Sequence, residues 1–147
     1  MTSSDARRDA TEPDRLDRLR EAILAFTDER DWSQFHDPKN LAMAIGVEAG
    51  ELMDHFRWTP NDMASRLLED PTTRSGVEDE VADVLILLIE FAHVCGFDPI
   101  EAAERKLARN ADRYPVTLAK GRAVKHDRLH RDDRGLSDPT TSERDET

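Results

Sequence analysis

The chain has 147 residues, enough for one domain with a modest core, and carries 32 acidic against 21 basic residues for a formal net charge of −11. That balance disfavours nucleic acid and anionic membrane surfaces as partners unless a local basic site or a bridging cation intervenes. The single cysteine, Cys95, excludes an intrachain disulfide framework and cannot by itself make a cysteine-based zinc site.

Residues 1–13 are small, polar and charged, which predicts a disordered arm. From Asp14 to Arg30 the apolar residues Leu16, Leu19, Ile23, Leu24 and Phe26 recur at helical spacing and predict a first amphipathic helix. The segment DWSQFHDPKN (31–40) reads as a loop, with Pro38 suited to the first turn of a second helix over about 39–58. Leu41, Ile45, Leu52 and Phe56 form the apolar side of that helix, and TPND stops it. NDMASRLLED reads as a short helix and PTTRSG as a loop. A third helix over about 77–95 is apolar round most of its circumference from Val84 to Ile89, so it is expected to be central or to face a second subunit. Gly96 is expected to cap its C-terminus, and Asp98 to cap a fourth helix over about 99–113.

Beyond RYP the composition predicts a partly ordered strap to Leu129 and then a disordered tail. The organisation expected is an arm over 1–13, a helical domain over 14–116, and a strap and tail over 117–147. Strand signals are nearly absent, so the fold class is all-α. No apolar stretch reaches about 18 residues and no hydrophobic signal region begins the chain, which predicts neither a membrane span nor a secretory leader and points to a cytoplasmic protein.

Two acid pairs stand out. Glu48 and Glu51 lie three residues apart on the second helix, and Glu80 and Asp83 three apart on the third. Three residues advance roughly 300° and about 4.5 Å, which puts each pair on one face, one turn apart. Like charges at that spacing repel, and Asp83 sits in a mostly apolar run where an unpaired charge is expensive. If the two helices turn their pairs toward each other, four carboxylates line one pocket that demands a counter-charge, for which magnesium or manganese suits the hard oxygen donors. Ala49 and Gly50 leave room for close helix approach. The same spacings also occur on solvated helix faces, and Glu78 and Asp79 are accounted for by the helix dipole alone.

Taken together, RDWSQFHDPKNLAMAIGVEAGELMDHFRW, EDEVADVLILLIEFA and KLARNADRYPV resemble the MazG-like all-α nucleoside triphosphate pyrophosphohydrolases, nearest to the dCTP pyrophosphatase branch, over about residues 16–129. The resemblance implies a four-helix subunit whose bundle is completed by oligomerisation into a homodimer or homotetramer. It implies Mg²⁺, or Mn²⁺, held by Glu48, Glu51, Glu80 and Asp83, and cleavage between the α- and β-phosphates of a (deoxy)nucleotide. The substrate implied is dCTP or a related or modified pyrimidine nucleotide, and the role is nucleotide pool clean-up. Glu48 or Glu51 would accept the proton of the attacking water.

The resemblance also assigns Lys106, Asn110 and Arg113 to the triphosphate; their spacings of four and three place them on one helical stripe, which can equally be a solvated basic face. Trp32, Phe35, His36, Asn40 and Trp58 match positions beside the base and sugar, and Tyr114 follows the phosphate-binding stripe. One departure concerns specificity: where dCTP-preferring members carry a tyrosine one turn beyond the metal-binding aspartate, this chain has Leu87. Two other classes remain open from the residues. Glu90 and His93 form one Glu-x-x-His pair of the kind found in di-iron helical bundles, though without a second such pair. An acidic helical adaptor would need no convergence of the acids at all.

Overall fold

The computed structural model describes residues 15–126, 128 and 129; the expected N-terminal arm and the tail beyond Leu129 lie outside them. Six α-helices follow in order: α1 (Arg15–Glu29), α2 (Pro38–Asp54), α3 (Ala64–Leu67), α4 (Pro71–Val94), α5 (Pro99–Arg113) and α6 (Val116–Ala119). A 3-10 turn at Ser33–Phe35 joins α1 to α2, and no strand occurs among the described residues.

Local chemistry sets most of these boundaries. α2 starts at Pro38, whose missing N–H is not needed in a first turn, and Asp37 accepts the backbone N–H of Asn40 at 2.8 Å. α4 ends as its sequence predicts. Gly96 adopts φ 71°, its N–H donates to His93 O at 3.1 Å, and the N–H of Phe97 donates to Ala92 O at 3.0 Å, a left-handed closure that satisfies the last carbonyls.

Two boundaries depart from expectation. PTTRSG is not a loop but the first turn and a half of α4. Asp70 accepts both the backbone N–H and the hydroxyl of Thr73 at 2.8 Å, and Pro71 occupies the first helical position, so a strong cap outweighs the poor helix formers behind it. α2 in turn stops at Asp54, short of Trp58. There the chain tightens, with the N–H of Phe56 bonded to Met53 O at 3.0 Å, and His55 turns onto α4 over Gly76.

The chain divides into two compact units, with the break between Pro99 and Ile100. In the first, α2 packs along α4 and α1 also lies against α4, so α4 is central, as its apolar circumference predicts. The core of this unit is built from Ile23 of α1, Leu41 of α2, and Ile89 and Ala92 of α4. Truncating a side chain as buried as Leu41 to alanine costs about 2–5 kcal/mol. Large apolar side chains nevertheless remain exposed on both central helices: Met43, Val47 and Met53 on α2, and Val81, Leu85 and Leu88 on α4. The second unit holds most of α5, with α6 and a short segment that ends in the buried Leu129.

Candidate metal and substrate site

The pairing of α2 with α4 decides where the acids point. Glu48 from α2 and Glu80 and Asp83 from α4 bring carboxylate oxygens within 4.8 Å of one another. That separation matches oxygens grouped around one cation, since ligand distances of 2.0–2.6 Å give a span of about 4–5 Å. Glu48 and Glu80 are half-buried, whereas Asp83 is exposed. The expectation that Asp83 carries charge into the core is therefore corrected: the helix turns it to the rim, where a carboxylate keeps part of its hydration. Glu51 is exposed one turn along α2 and stands outside this tight group of three.

The proximity leaves an electrostatic mark. Glu48 has its proton affinity raised above the ordinary carboxylate level, first by partial desolvation and then by the charges of Glu51, Asp83 and Glu80, with a hydrogen bond to Glu80 adding to the effect. The charges of three other acids thus bear on Glu48. A hard divalent cation is the counter-charge such a donor set accepts.

Gly50 does not provide the close helix approach expected of it, since a Cβ there meets nothing within 4 Å. The close approach occurs at Gly76 instead. A Cβ there would lie 2.8 Å from His55 Cε1, so the imidazole rests directly on the backbone of α4. His55 Nε2 is 4.0 Å from Glu80 Oε1, which places the residue that follows α2 beside the carboxylate cluster.

A cavity of about 460 Å³ runs from the cluster into the unit, with Glu48 and Asp83 at its lining together with Phe26, Trp32, His36 and Leu87. Phe26 and Trp32 meet edge to face, with ring centroids 5.9 Å apart, and Arg30 covers the other ring, its guanidinium carbon 3.5 Å from the Phe26 centroid. The wall is mostly apolar with a few convergent polar groups, as small-molecule sites are. Leu87, at the position where the resemblance leads one to expect a tyrosine, is part of that wall.

The remaining expected residues are placed as follows. Asn40 is exposed, and its side-chain amide donates to Phe35 O at 3.1 Å, which ties the 3-10 turn to the start of α2. Trp58 is 84% exposed in the turn after α2, with Arg57 5.3 Å from its ring; neither residue lines the cavity. Phe35 is exposed as well. In the second unit, Lys106, Asn110 and Arg113 follow one stripe of α5, Lys106 and Arg113 exposed and Asn110 half-buried. Tyr114 closes that helix by donating its N–H to Asn110 O at 2.9 Å, and its ring meets His126 edge to face.

Sequence reasoning missed Thr27 and considered Glu90 only as half of a di-iron Glu-x-x-His pair that lacked its second member. Both are buried, and the Thr27 hydroxyl donates to Glu90 Oε1 across 63 residues of sequence. His36 Nδ1 lies 3.3 Å from the same oxygen. Glu90 is thus engaged by α1 and by the loop before α2, and His93, its supposed partner in a di-iron pair, is exposed. The available signal was Glu90 itself, an acid inside the run ILLIEFA.

Residues 43–129 match the MazG-like family. Over 116 residues the chain is 38% identical to dCTP pyrophosphatase 1 of Mus musculus, a match covering 79% of this chain and 68% of that protein. The protein of the same name from Bos taurus is 38% identical over 76% of this chain and 66% of its own length, and that from Homo sapiens 36% identical over 78% and 67%. The chain therefore spans about two thirds of these relatives, between 66% and 68%. A solved structure of a pyrophosphatase from Archaeoglobus fulgidus superposes with a TM-score of 0.67 at 38% identity, covering 71% of this chain and 95% of that one.

Proposed function

Because this chain belongs to the MazG-like family and is a nucleoside triphosphate pyrophosphatase, we propose that it hydrolyses dCTP or a related or modified pyrimidine nucleotide to the monophosphate and pyrophosphate. The observation that carries this reading is the convergence of Glu48, Glu80 and Asp83 within 4.8 Å at one end of a cavity walled by Trp32 and Phe26. A phosphate-cleaving end and a base-holding end then belong to one space.

Glu48, Glu80 and Asp83 are the residues that would hold Mg²⁺, with Mn²⁺ as an alternative ion. When bound, the cation supplies charge neutralisation on the phosphates and on the departing pyrophosphate. Glu51, one turn from Glu48 and outside the tight group, is the carboxylate we assign to take the proton from the attacking water. Trp32 offers its ring face to the base, and His36 and Leu87 bound the base from the sides. In the second unit, Lys106, Asn110 and Arg113 are charged and polar groups of the type that bind a triphosphate, the role the family resemblance assigns to them. The exposed apolar faces of α2 and α4 support assembly into a homodimer or homotetramer, which would remove Val81, Leu85, Leu88, Met43 and Val47 from water. Among the described residues no helix is long and apolar enough to cross a membrane. We place the enzyme in cytoplasmic nucleotide pool clean-up.

The test is a panel of canonical, deoxy and modified triphosphates incubated with Mg²⁺ and with chelator, read for monophosphate and pyrophosphate. Metal-dependent release of pyrophosphate from a pyrimidine deoxynucleotide is expected. Release of orthophosphate instead would overturn the reading in favour of another phosphohydrolase, and no release from any nucleotide would overturn it and leave the adaptor alternative.

A further inference from the structure

Glu90 is 4% exposed, the most deeply buried acid among the described residues, and it lines the same cavity as Glu48 and Asp83. Asp83 and Glu90 are seven residues apart on α4, so they share a face, about 10.5 Å from one another along the helix axis. Leu87 lies between them on the cavity wall. The Thr27 hydroxyl bonds Oε1, and His36 Nδ1 is 3.3 Å from that same atom. No hydrogen bond to Oε2 is present among the described residues. Glu90 belongs to the wall of this cavity and also to that of a second one bounded by Asp28, Ser33 and His93, and Oε2 is the carboxylate oxygen that Thr27 and His36 leave for a ligand.

A carboxylate oxygen held in this way is an acceptor with a fixed direction. In a largely apolar pocket it favours a base edge that presents N–H and penalises one that presents a carbonyl, because two acceptors facing each other are left without a proton between them. We propose that Glu90 sets the base preference of this site, with Oε2 accepting a hydrogen bond from the exocyclic amino group of a 4-aminopyrimidine and rejecting the 4-oxo counterpart. Thr27 acts as the positioning residue that holds the carboxylate in that orientation. The proposal rests on the pyrophosphatase reading above and extends it from the phosphates to the base. It gives the chain a means of base choice that does not depend on the tyrosine replaced by Leu87.

The pair dCTP and dUTP differs at the edge in question. For the wild-type chain with saturating Mg²⁺, kcat/KM for dCTP is expected to exceed that for dUTP by tenfold or more, the range expected when a buried polar group loses its partner. Glu90→Gln keeps the shape and an acceptor for Thr27 but turns an N–H donor into the cavity; the dCTP to dUTP ratio is expected to fall at least tenfold. Thr27→Val, nearly isosteric, frees the carboxylate and is expected to lower the ratio less, and it serves should Glu90→Gln fail to fold. A wild-type ratio near one, or a ratio unchanged within twofold in the folded variants, overturns the proposal. Should the wild-type chain release no pyrophosphate from any nucleotide, the pyrophosphatase reading falls. The affinities of dCMP and dUMP, measured by calorimetry on the same proteins, then decide the role of Glu90 by the same ratios, and absence of binding by either overturns it.

Discussion

Gly76 lies beneath the imidazole of His55, so close that a methyl group on its α-carbon would come within 2.8 Å of His55 Cε1. His55 Nε2 in turn is 4.0 Å from Glu80 Oε1. Gly76→Ala should push the ring outward and loosen Glu80 while leaving α4 helical, since alanine favours the helix. The expected result is a several-fold rise in the Mg²⁺ concentration needed for half-maximal pyrophosphate release, with an unchanged helical circular dichroism spectrum. An unaltered Mg²⁺ dependence would show that His55 does not steady Glu80.

Asp83→Asn and Glu51→Gln remove one negative oxygen each without changing size. Turnover at saturating Mg²⁺ should fall by about 10²-fold or more in either variant, with folding and oligomeric state retained. Near-normal turnover removes that residue from the assigned set.

The raised proton affinity of Glu48 fixes the sign of a pH effect in the cation-free protein. Its folded form binds a proton more tightly than the unfolded chain does, so this contribution to stability is present below the ordinary value of 4.5 and is lost as pH rises through the higher folded value. In chelator, Glu48→Gln should therefore reduce the loss of Tm across that window relative to wild type. Added Mg²⁺ should do likewise for the wild-type chain. Scanning calorimetry from pH 4 to 8 checks both; identical pH profiles of Tm for the two proteins would contradict it.

Asp70 carries the opposite sign. Its hydrogen bonds from Thr73 hold the carboxyl below the ordinary value of 3.8, so the cap stabilises α4 above that pH and its contribution disappears as pH falls through the lowered folded value. Asp70→Ala should lower Tm at neutral pH, and the difference from wild type should close in strong acid. A difference that persists unchanged at pH 2 would mean that the charge is not what the cap supplies.

Trp32→Ala removes the ring that meets Phe26 and faces the cavity. Loss of base stacking should lower kcat/KM about tenfold or more, through KM before kcat. Steady-state kinetics with dCTP measures the split.

What could be read from the sequence was whatever is settled within one or two helical turns. Asp37 with Pro38, and Gly96 after an apolar run, announce helix ends because the bonds they make are to immediate neighbours. The spacing of Glu48 and Glu51, and of Glu80 and Asp83, gave their common faces for the same reason. PTTRSG was misread because its composition resembles a turn, while the deciding bonds run from Asp70 just before it and the space for Gly76 is set by His55, 21 residues earlier. Glu90 shows the limit more sharply. Nothing near it in sequence tells that its partners are Thr27, 63 residues away, and His36 on a loop between helices. Nor does periodicity tell that Asp83 is exposed at a rim while Glu90, one heptad later, is buried in the wall of the same cavity.

The length of α4 carries one last consequence. Because Asp83 and Glu90 stand on a single uninterrupted helix, the gauge between them is set by backbone geometry and not by loops that can drift. Adding or deleting one residue between the two would swing one end by about 100° relative to the other. Variation in what this chain accepts must therefore come from exchanging side chains along the rod, never from resizing it.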